Sequence, residues 1–553
     1  MGIKIPIKQI GIFLCLMAIL MLSLRIVAFF IKLNSTLSDY SWGDIIYQVQ
    51  TFHNFMSSRA FTSSSYRLGG LAQNNPYAYL PQFAMHVYIT PYVLFYGFYS
   101  LYPNINGLYV IYIVFIYVGM AYFSWQILKA IASKIALVTF LWAMFFLLTS
   151  EFFTLAVYKN NPPLLVGPFI LAMYYFLLRE RKWAFLLTCI LACLISEDVA
   201  MMIVTFSIYI FLFEPKWRPY SYYSFGFSVV YLILAIFIIQ PAARYLLDTQ
   251  QSSYLLTRIM HIFETLNFPR FFKDLLPWVL FLPSLAFIYV AIGKTNNINW
   301  RRTIGLIFIA PAAKWAIAIG YGGFGPHHLM SLFSFTFLAF LLMTTKVNLN
   351  DNYALSSLSR TRIVLLGGIL MMYLFPVAVA CAKPARIVTH YFLGIQTDAE
   401  ESTRLSNEDV IKAIRNIPDS RNFVYWTNRN VEGFIANHSD FWRFPYYFDH
   451  SDFLVIQKDA KETFFEFDPS SEKELEFALS QGKEYSSGDM AIISQEAIDR
   501  ILEELVNTRK THLIVFEDRF VLILERIERS EIILPPSLVG FGWLDNIPKL
   551  FGR

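Results

Sequence analysis

The chain has 553 residues, of which 56% are hydrophobic, 18% aromatic and only 15% charged, more apolar side chain than a soluble core of this length needs. Its formal net charge of +5 is small and its basic residues fall in short clusters between apolar runs, which gives no support to nucleic acid as a partner. All four cysteines lie within or at the edge of apolar runs, so neither a disulfide framework nor a thiolate metal site is implied.

Lys4 and Lys8 precede an apolar run from Ile10 to about Ile31. This run exceeds the roughly 7 to 15 residues of a signal-peptide core and has no small-residue cleavage site, so it predicts a first span with the lysines inside. At about 20 apolar residues per crossing, further spans are predicted at 107–128, 133–150, 162–178, 184–196, 198–213, 222–240, 275–293, 303–320, 328–345 and 363–381. The segment 84–101 is the doubtful one. Five basic clusters fix the orientation: Lys129 and Lys134; Arg179, Arg181 and Lys182; Lys216 and Arg218; Lys294, Arg301 and Arg302; Lys346, Arg360 and Arg362. All five fall on the cytoplasmic side only if 84–101 does not cross, or if a weak span near Glu197 fails to.

From about Lys383 the charges become dense and the apolar runs shorten to strand length, at 423–426, 452–456, 512–516 and 520–524, with helix-like segments at 407–416 and 495–508. The predicted fold class is therefore a polytopic α-helical membrane protein with a C-terminal extracytoplasmic α/β domain. Residues 1–382 form the membrane part, with about eleven spans and a first outer loop 32–106 holding interfacial helices. Residues 383–553 form the outer domain, and the N-terminus is cytoplasmic.

This topology sends nearly all the interesting polar residues outside. In Ser41-Trp42-Gly43-Asp44, the acid opens an amphipathic stretch in which Asp44, Gln48 and Thr51 share a helix face; it reads either as a helix cap or as a base beside a water-filled cavity. His86 sits among tyrosines and reads as an interfacial residue or as a ligand of phosphate or metal. Ser196-Glu197-Asp198 interrupts an apolar stretch, as a tight turn or as acids that bind a metal or a sugar hydroxyl. Lys314 lies within a span, where an unpaired cation costs about 2.5 to 3.5 kcal/mol. It faces a cavity or an anion, or else snorkels to the interface, as Arg25 is expected to. His327 and His328 follow a glycine-rich turn; as helix neighbours they diverge, so one of them donates to a phosphate more readily than both bind one metal. Arg244, Arg258, Arg270 and Lys273 of the outer loop 241–274 attract a lipid phosphate or are simply solvated. Walker, dinucleotide, zinc-protease and esterase motifs are absent from the sequence.

These segments resemble the family of predicted membrane proteins known as domain of unknown function 2079, grouped with GT-C type glycosyltransferases. Asp44 and Gln50 match an aromatic-Asp-Leu-Gly-Ile-Phe-Asp-Gln segment after the first span, with Ile46 and Val49 in place of its glycine and second acid. Arg59 to Ser63, Met85-His86 to Pro91, Leu194 to Ala200 with Ser196 for a lysine, and the stretch from Thr427-Asn428 through Arg443-Phe444-Pro445 to the Asp452 strand are similar to further segments of that family. Lys159-Asn160-Asn161 stands where the family carries an acid and a histidine, which puts metal use by this chain in doubt.

The resemblance implies a GT-C-like enzyme that moves a sugar from a polyprenyl-phosphate donor in the membrane lipid to a glycan, lipid or protein acceptor at the outer face. Asp44 is then the general base. Gln50, His86, Glu197, Asp198, Arg258, Lys314, His327 and His328 are candidates for substrate contact, and a divalent metal is an open cofactor. The alternatives are a lipid or polysaccharide transporter, which predicts an internal repeat not seen in the sequence, and a non-catalytic scaffold with an outer binding domain.

Overall fold

The computed structural model describes residues 7–35, 62–63, 80–81, 87–101, 105–131, 136–149, 162–244, 299–320, 326–345, 364, 368, 381–382, 384–393, 412–418, 423–426, 441–443, 452–457, 464–466, 484–486, 490–492, 502–517, 521–528, 544 and 547–550. These residues are mostly helical. The membrane part contains α1 (Ile7–Ser35), α2 (Thr90–Leu101), α3 (Ile105–Ile131), α4 (Ala136–Thr149), α5 (Val166–Leu178), α6 (Lys182–Cys193) and α7 (Glu197–Phe213). It continues with α8 (Arg218–Leu234), which runs through a wide π turn (Ala235–Ile239) into Gln240–Arg244, then α9 (Trp300–Ile304) with a second π turn (Gly305–Ile309), α10 (Ala312–Gly320) and α11 (Pro326–Thr344). Among the described residues, three helical stretches, Lys8–Ile31, Val110–Ile131 and Pro215–Ala243, are long and apolar enough to cross a membrane.

Aromatic pairs set how the helices run. Phe115 packs on Phe169, and Phe123 on Tyr175 and Phe176, so α3 and α5 are parallel. A Cβ on Gly119 would stand 2.9 Å from the ring of Pro168, so the helices approach closely at a residue without a side chain. The outer faces carry large apolar residues such as Phe13, Leu16, Val114 and Val118, as expected where hydrocarbon is the solvent.

Several of the described helices are short for a crossing, α4 and α5 at 14 and 13 residues among them. α6 has 12 residues, a rise of about 18 Å, against a hydrocarbon core of about 30 Å. α2 also has 12 residues and is entered by segment 87–89, which belongs to no helix or strand. The part of 84–101 before Val87 lies outside the described residues, as does the expected span 275–293.

The π turn and Pro311 break the chain between α9 and α10. Pro311 has no N–H to give Ile307, and the Trp315 indole donates to that carbonyl instead, at 3.4 Å. The Thr205 hydroxyl of α7 donates to the Ala310 carbonyl at 2.7 Å. Side chains thus satisfy carbonyls that the break releases, the condition for irregular backbone inside a helical bundle.

Near the C-terminus a five-stranded mixed sheet has the order β2-β1-β3-β5-β4, built from β1 (Phe423–Trp426), β2 (Phe441–Arg443), β3 (Phe453–Gln457), β4 (His512–Glu517) and β5 (Val521–Arg526). β1 is parallel to β2 and β3, whereas β4 and β5 pair antiparallel with a register shift at Ile523/Leu524. The four strands expected from the sequence are present to within two residues at each end. β2 is added, three residues too short to show a period.

Candidate functional site

α7 begins at the acid turn. Ser196 is extended, with φ at −168°, and its hydroxyl accepts a hydrogen bond from the Val199 N–H at 3.4 Å, an ordinary cap. Glu197 and Asp198 then occupy the first helical turn, where the macrodipole favours acids. The cap explains the local fold but not the burial: Glu197 is 0% exposed, Asp198 5% and Lys314 1%.

The partners come from three distant parts of the chain. Lys314 Nζ donates to Asp198 Oδ2 at 2.7 Å. The break at Pro311 puts Lys314 in the first turn of α10, and this starts it beside the start of α7. Glu197 Oε2 accepts from the Val87 N–H at 3.1 Å, and its Oε1 accepts from the Gln240 amide at 3.3 Å.

Segment 87–89 is held at further points. The N–H groups of Ile89 and Thr90 both donate to the Leu194 carbonyl, at 2.9 and 2.8 Å, and the Thr90 hydroxyl donates to Leu191 O at 2.7 Å. The Tyr231 hydroxyl of α8 donates to Val87 O at 3.1 Å. Segment 87–89 and Thr90 thus pack against the C-terminal turn of α6.

A second ion pair stands at the opposite end of α7. Arg302 Nε contacts Glu214 Oε1, Arg302 Nη2 donates to the Tyr174 hydroxyl at 2.7 Å, and the Tyr209 hydroxyl donates to Glu214 at 3.1 Å. The Trp217 ring stacks edge-on to Tyr174 and lies under the Arg302 guanidinium. Burial pushes the Glu214 carboxyl up, and Arg302 partly offsets it. Lys216 pairs with Glu180 across the neighbouring turn. These contacts gather the basic segments 179–182, 216–218 and 301–302 at one end of the bundle, with Lys129 at the same end of α3, since α3 and α5 are parallel.

Of the residues singled out from the sequence, Glu197, Asp198 and Lys314 come together. Of the two readings of Lys314, the anion is realised and snorkelling is not. Arg25, expected to snorkel, is buried within α1. His327 and His328 open α11, whose backbone is described there without their side chains. Asp44, Gln50, His86 and Arg258 lie outside the described residues. Among the described residues there is no group of three or more His, Cys, Asp or Glu side chains able to hold a metal.

The sequence reading missed Val87, Gln240 and Tyr231, whose roles rest on partners 43 to 144 residues away. It also missed Glu214, Tyr174 and Tyr209, and read Arg302 only as a loop charge. One signal was available: Gln240-Pro241 and Glu214-Pro215 each put a polar residue at the end of an apolar run.

A comparison with curated proteins finds no match. The sequence profile of the DUF2079 family, described as predicted membrane proteins, matches residues 11–486, most of the chain. The chain therefore belongs to the DUF2079 family of predicted membrane proteins.

Proposed function

We propose that this protein is a polytopic glycosyltransferase of GT-C type, transferring a sugar from a polyprenyl-phosphate donor at the extracytoplasmic face. Asp44 takes the proton of an acceptor hydroxyl as its oxygen attacks the anomeric carbon. The bond from that carbon to the phosphate oxygen breaks, and polyprenyl phosphate leaves with the electron pair. A cation stabilises the leaving phosphate; Arg258, His86, His327 and His328 are the candidates, with Gln50 beside the base in sequence. About eleven spans, a cytoplasmic N-terminus and an outer α/β domain over 383–553 complete the reading.

The observation that supports it best is the anchoring of segment 87–89, which lies within the first outer loop 32–106, on the acid turn at the end of the bundle opposite the basic segments. Basic clusters favour the cytoplasmic side, so this turn belongs to the outer half. In this reading Asp198, Lys314 and Glu197 are positioning residues that fix the base of the loop carrying Asp44. The identity of the reaction rests on the family resemblance at Asp44 and Gln50.

The test is sugar transfer from a panel of radiolabelled polyprenyl-phosphate sugars by membranes containing the full chain or Asp44→Asn. Loss of transfer at unchanged membrane insertion is expected. Full activity of the variant overturns the assignment.

A further inference from the structure

The basic end of the bundle has more charge than its own acids neutralise. Segments 179–182, 214–218 and 301–302 contain seven cations and two acids. Both acids are already engaged, Glu180 by Lys216 and Glu214 by Arg302. Among the described residues, Arg179, Arg181, Lys182, Arg218 and Arg301 are left as a surplus of five positive charges at this end of α5 to α9.

Three of these cations are fixed on aromatic faces rather than free in solution. Lys182 Nζ lies 4.2 Å from the Tyr223 ring centroid, Arg218 lies 5.2 Å from that of Phe211, and Arg179 lies 5.8 Å from that of Tyr175. Arg218 Nε also donates to the Phe211 carbonyl at 3.0 Å, a second point that fixes the guanidinium. Beside them Trp183 is 79% exposed and Tyr222 65%. Exposed amphipathic rings belong at headgroup depth, with the glycerol and acyl boundary on their apolar side.

We infer that this rim is a docking surface for the headgroups of anionic phospholipids in the leaflet it faces. The charge selects anionic over zwitterionic lipid, the fixed guanidinium and ammonium groups meet the phosphate, and Trp183 and Tyr222 flank the glycerol region. The inference is independent of the transferase reading, since it uses none of the residues of the acid turn.

The test uses the purified full chain in neutral detergent, with phosphatidylglycerol and phosphatidylcholine as probes and retained lipid counted by native mass spectrometry. Wild type is expected to retain phosphatidylglycerol preferentially and to lose the preference in 1 M NaCl. At about five-fold per cation, the triple variant Arg181→Gln, Lys182→Gln, Arg218→Gln should bind phosphatidylglycerol roughly a hundred-fold more weakly. The charge-preserving pair Arg181→Lys, Arg218→Lys should keep the preference. Equal retention of the two lipids by wild type, a preference indifferent to salt, or wild-type binding by the triple variant overturns the inference. The salt experiment needs no substitution and decides the matter even where the triple variant does not fold.

Discussion

Replacing Lys314 by Met removes one half of a pair whose side chains are 1% and 7% exposed and whose charged atoms are 2.7 Å apart. The Asp198 carboxylate then stays buried without the ammonium that faced it. Breaking a buried pair in this way costs about 3 to 5 kcal/mol, a roughly 140- to 4,000-fold fall in the folded-to-unfolded ratio. A neutral interhelical hydrogen bond within a membrane averages only about 0.6 kcal/mol, so a loss above about 2 kcal/mol identifies an ion pair. The double variant Lys314→Met, Asp198→Leu removes both charges of the pair, leaves Glu197 on its own partners Val87 and Gln240, and should recover most of the loss. What it forgoes includes the roughly 0.3 to 1 kcal/mol that an acid contributes at a helix N-terminus. The assay is an SDS titration of the detergent-solubilised full chain followed by tryptophan fluorescence, with all four proteins compared as a thermodynamic cycle. A single variant as stable as wild type, or a double variant as unstable as the two losses added together, would refute the reasoning.

Glu197→Ala strands the buried Val87 N–H at a cost of about 1 to 3 kcal/mol. It should raise amide exchange over 87–90 while leaving the sheet strands 512–526 unchanged, read by hydrogen–deuterium exchange mass spectrometry. Gly119→Ala drives a methyl to 2.9 Å from the rigid Pro168 ring and should lower stability by about 1 to 3 kcal/mol through overpacking; the SDS midpoint measures it, and an unchanged midpoint means that α3 and α5 do not meet there. Arg302 contacts Glu214 through Nε and Tyr174 through Nη2. Arg302→Lys reaches one of them at most and should destabilise nearly as much as Arg302→Gln in the same titration, because an ammonium lacks the fork.

Much of the membrane part is legible in the sequence because hydropathy acts locally. A run such as 10–31 leaves water whatever surrounds it, and the strands at 423, 453, 512 and 521 show their short apolar period wherever they pack. The acid turn is half legible. Two acids in an apolar stretch announce that they need partners, and Lys314 in a later span announces the same. That they need each other cannot be read from either, since 116 residues separate them. Glu214 is announced only by its place before Pro215 at the end of an apolar run, and Arg302 reads as one loop cation among several until the fold brings it onto Glu214 and Tyr174.

Composition and spacing by themselves determined that this chain belongs in a membrane, which stretches are helices, and which charges are too costly to leave unpaired. Only the tertiary structure decided the pairings: Lys314 on Asp198, Val87 and Gln240 on Glu197, Arg302 on Glu214. The physical reason is one of range. Transfer of an apolar segment out of water depends on that segment alone, whereas a buried charge is stabilised within a few ångströms by whatever the fold brings there.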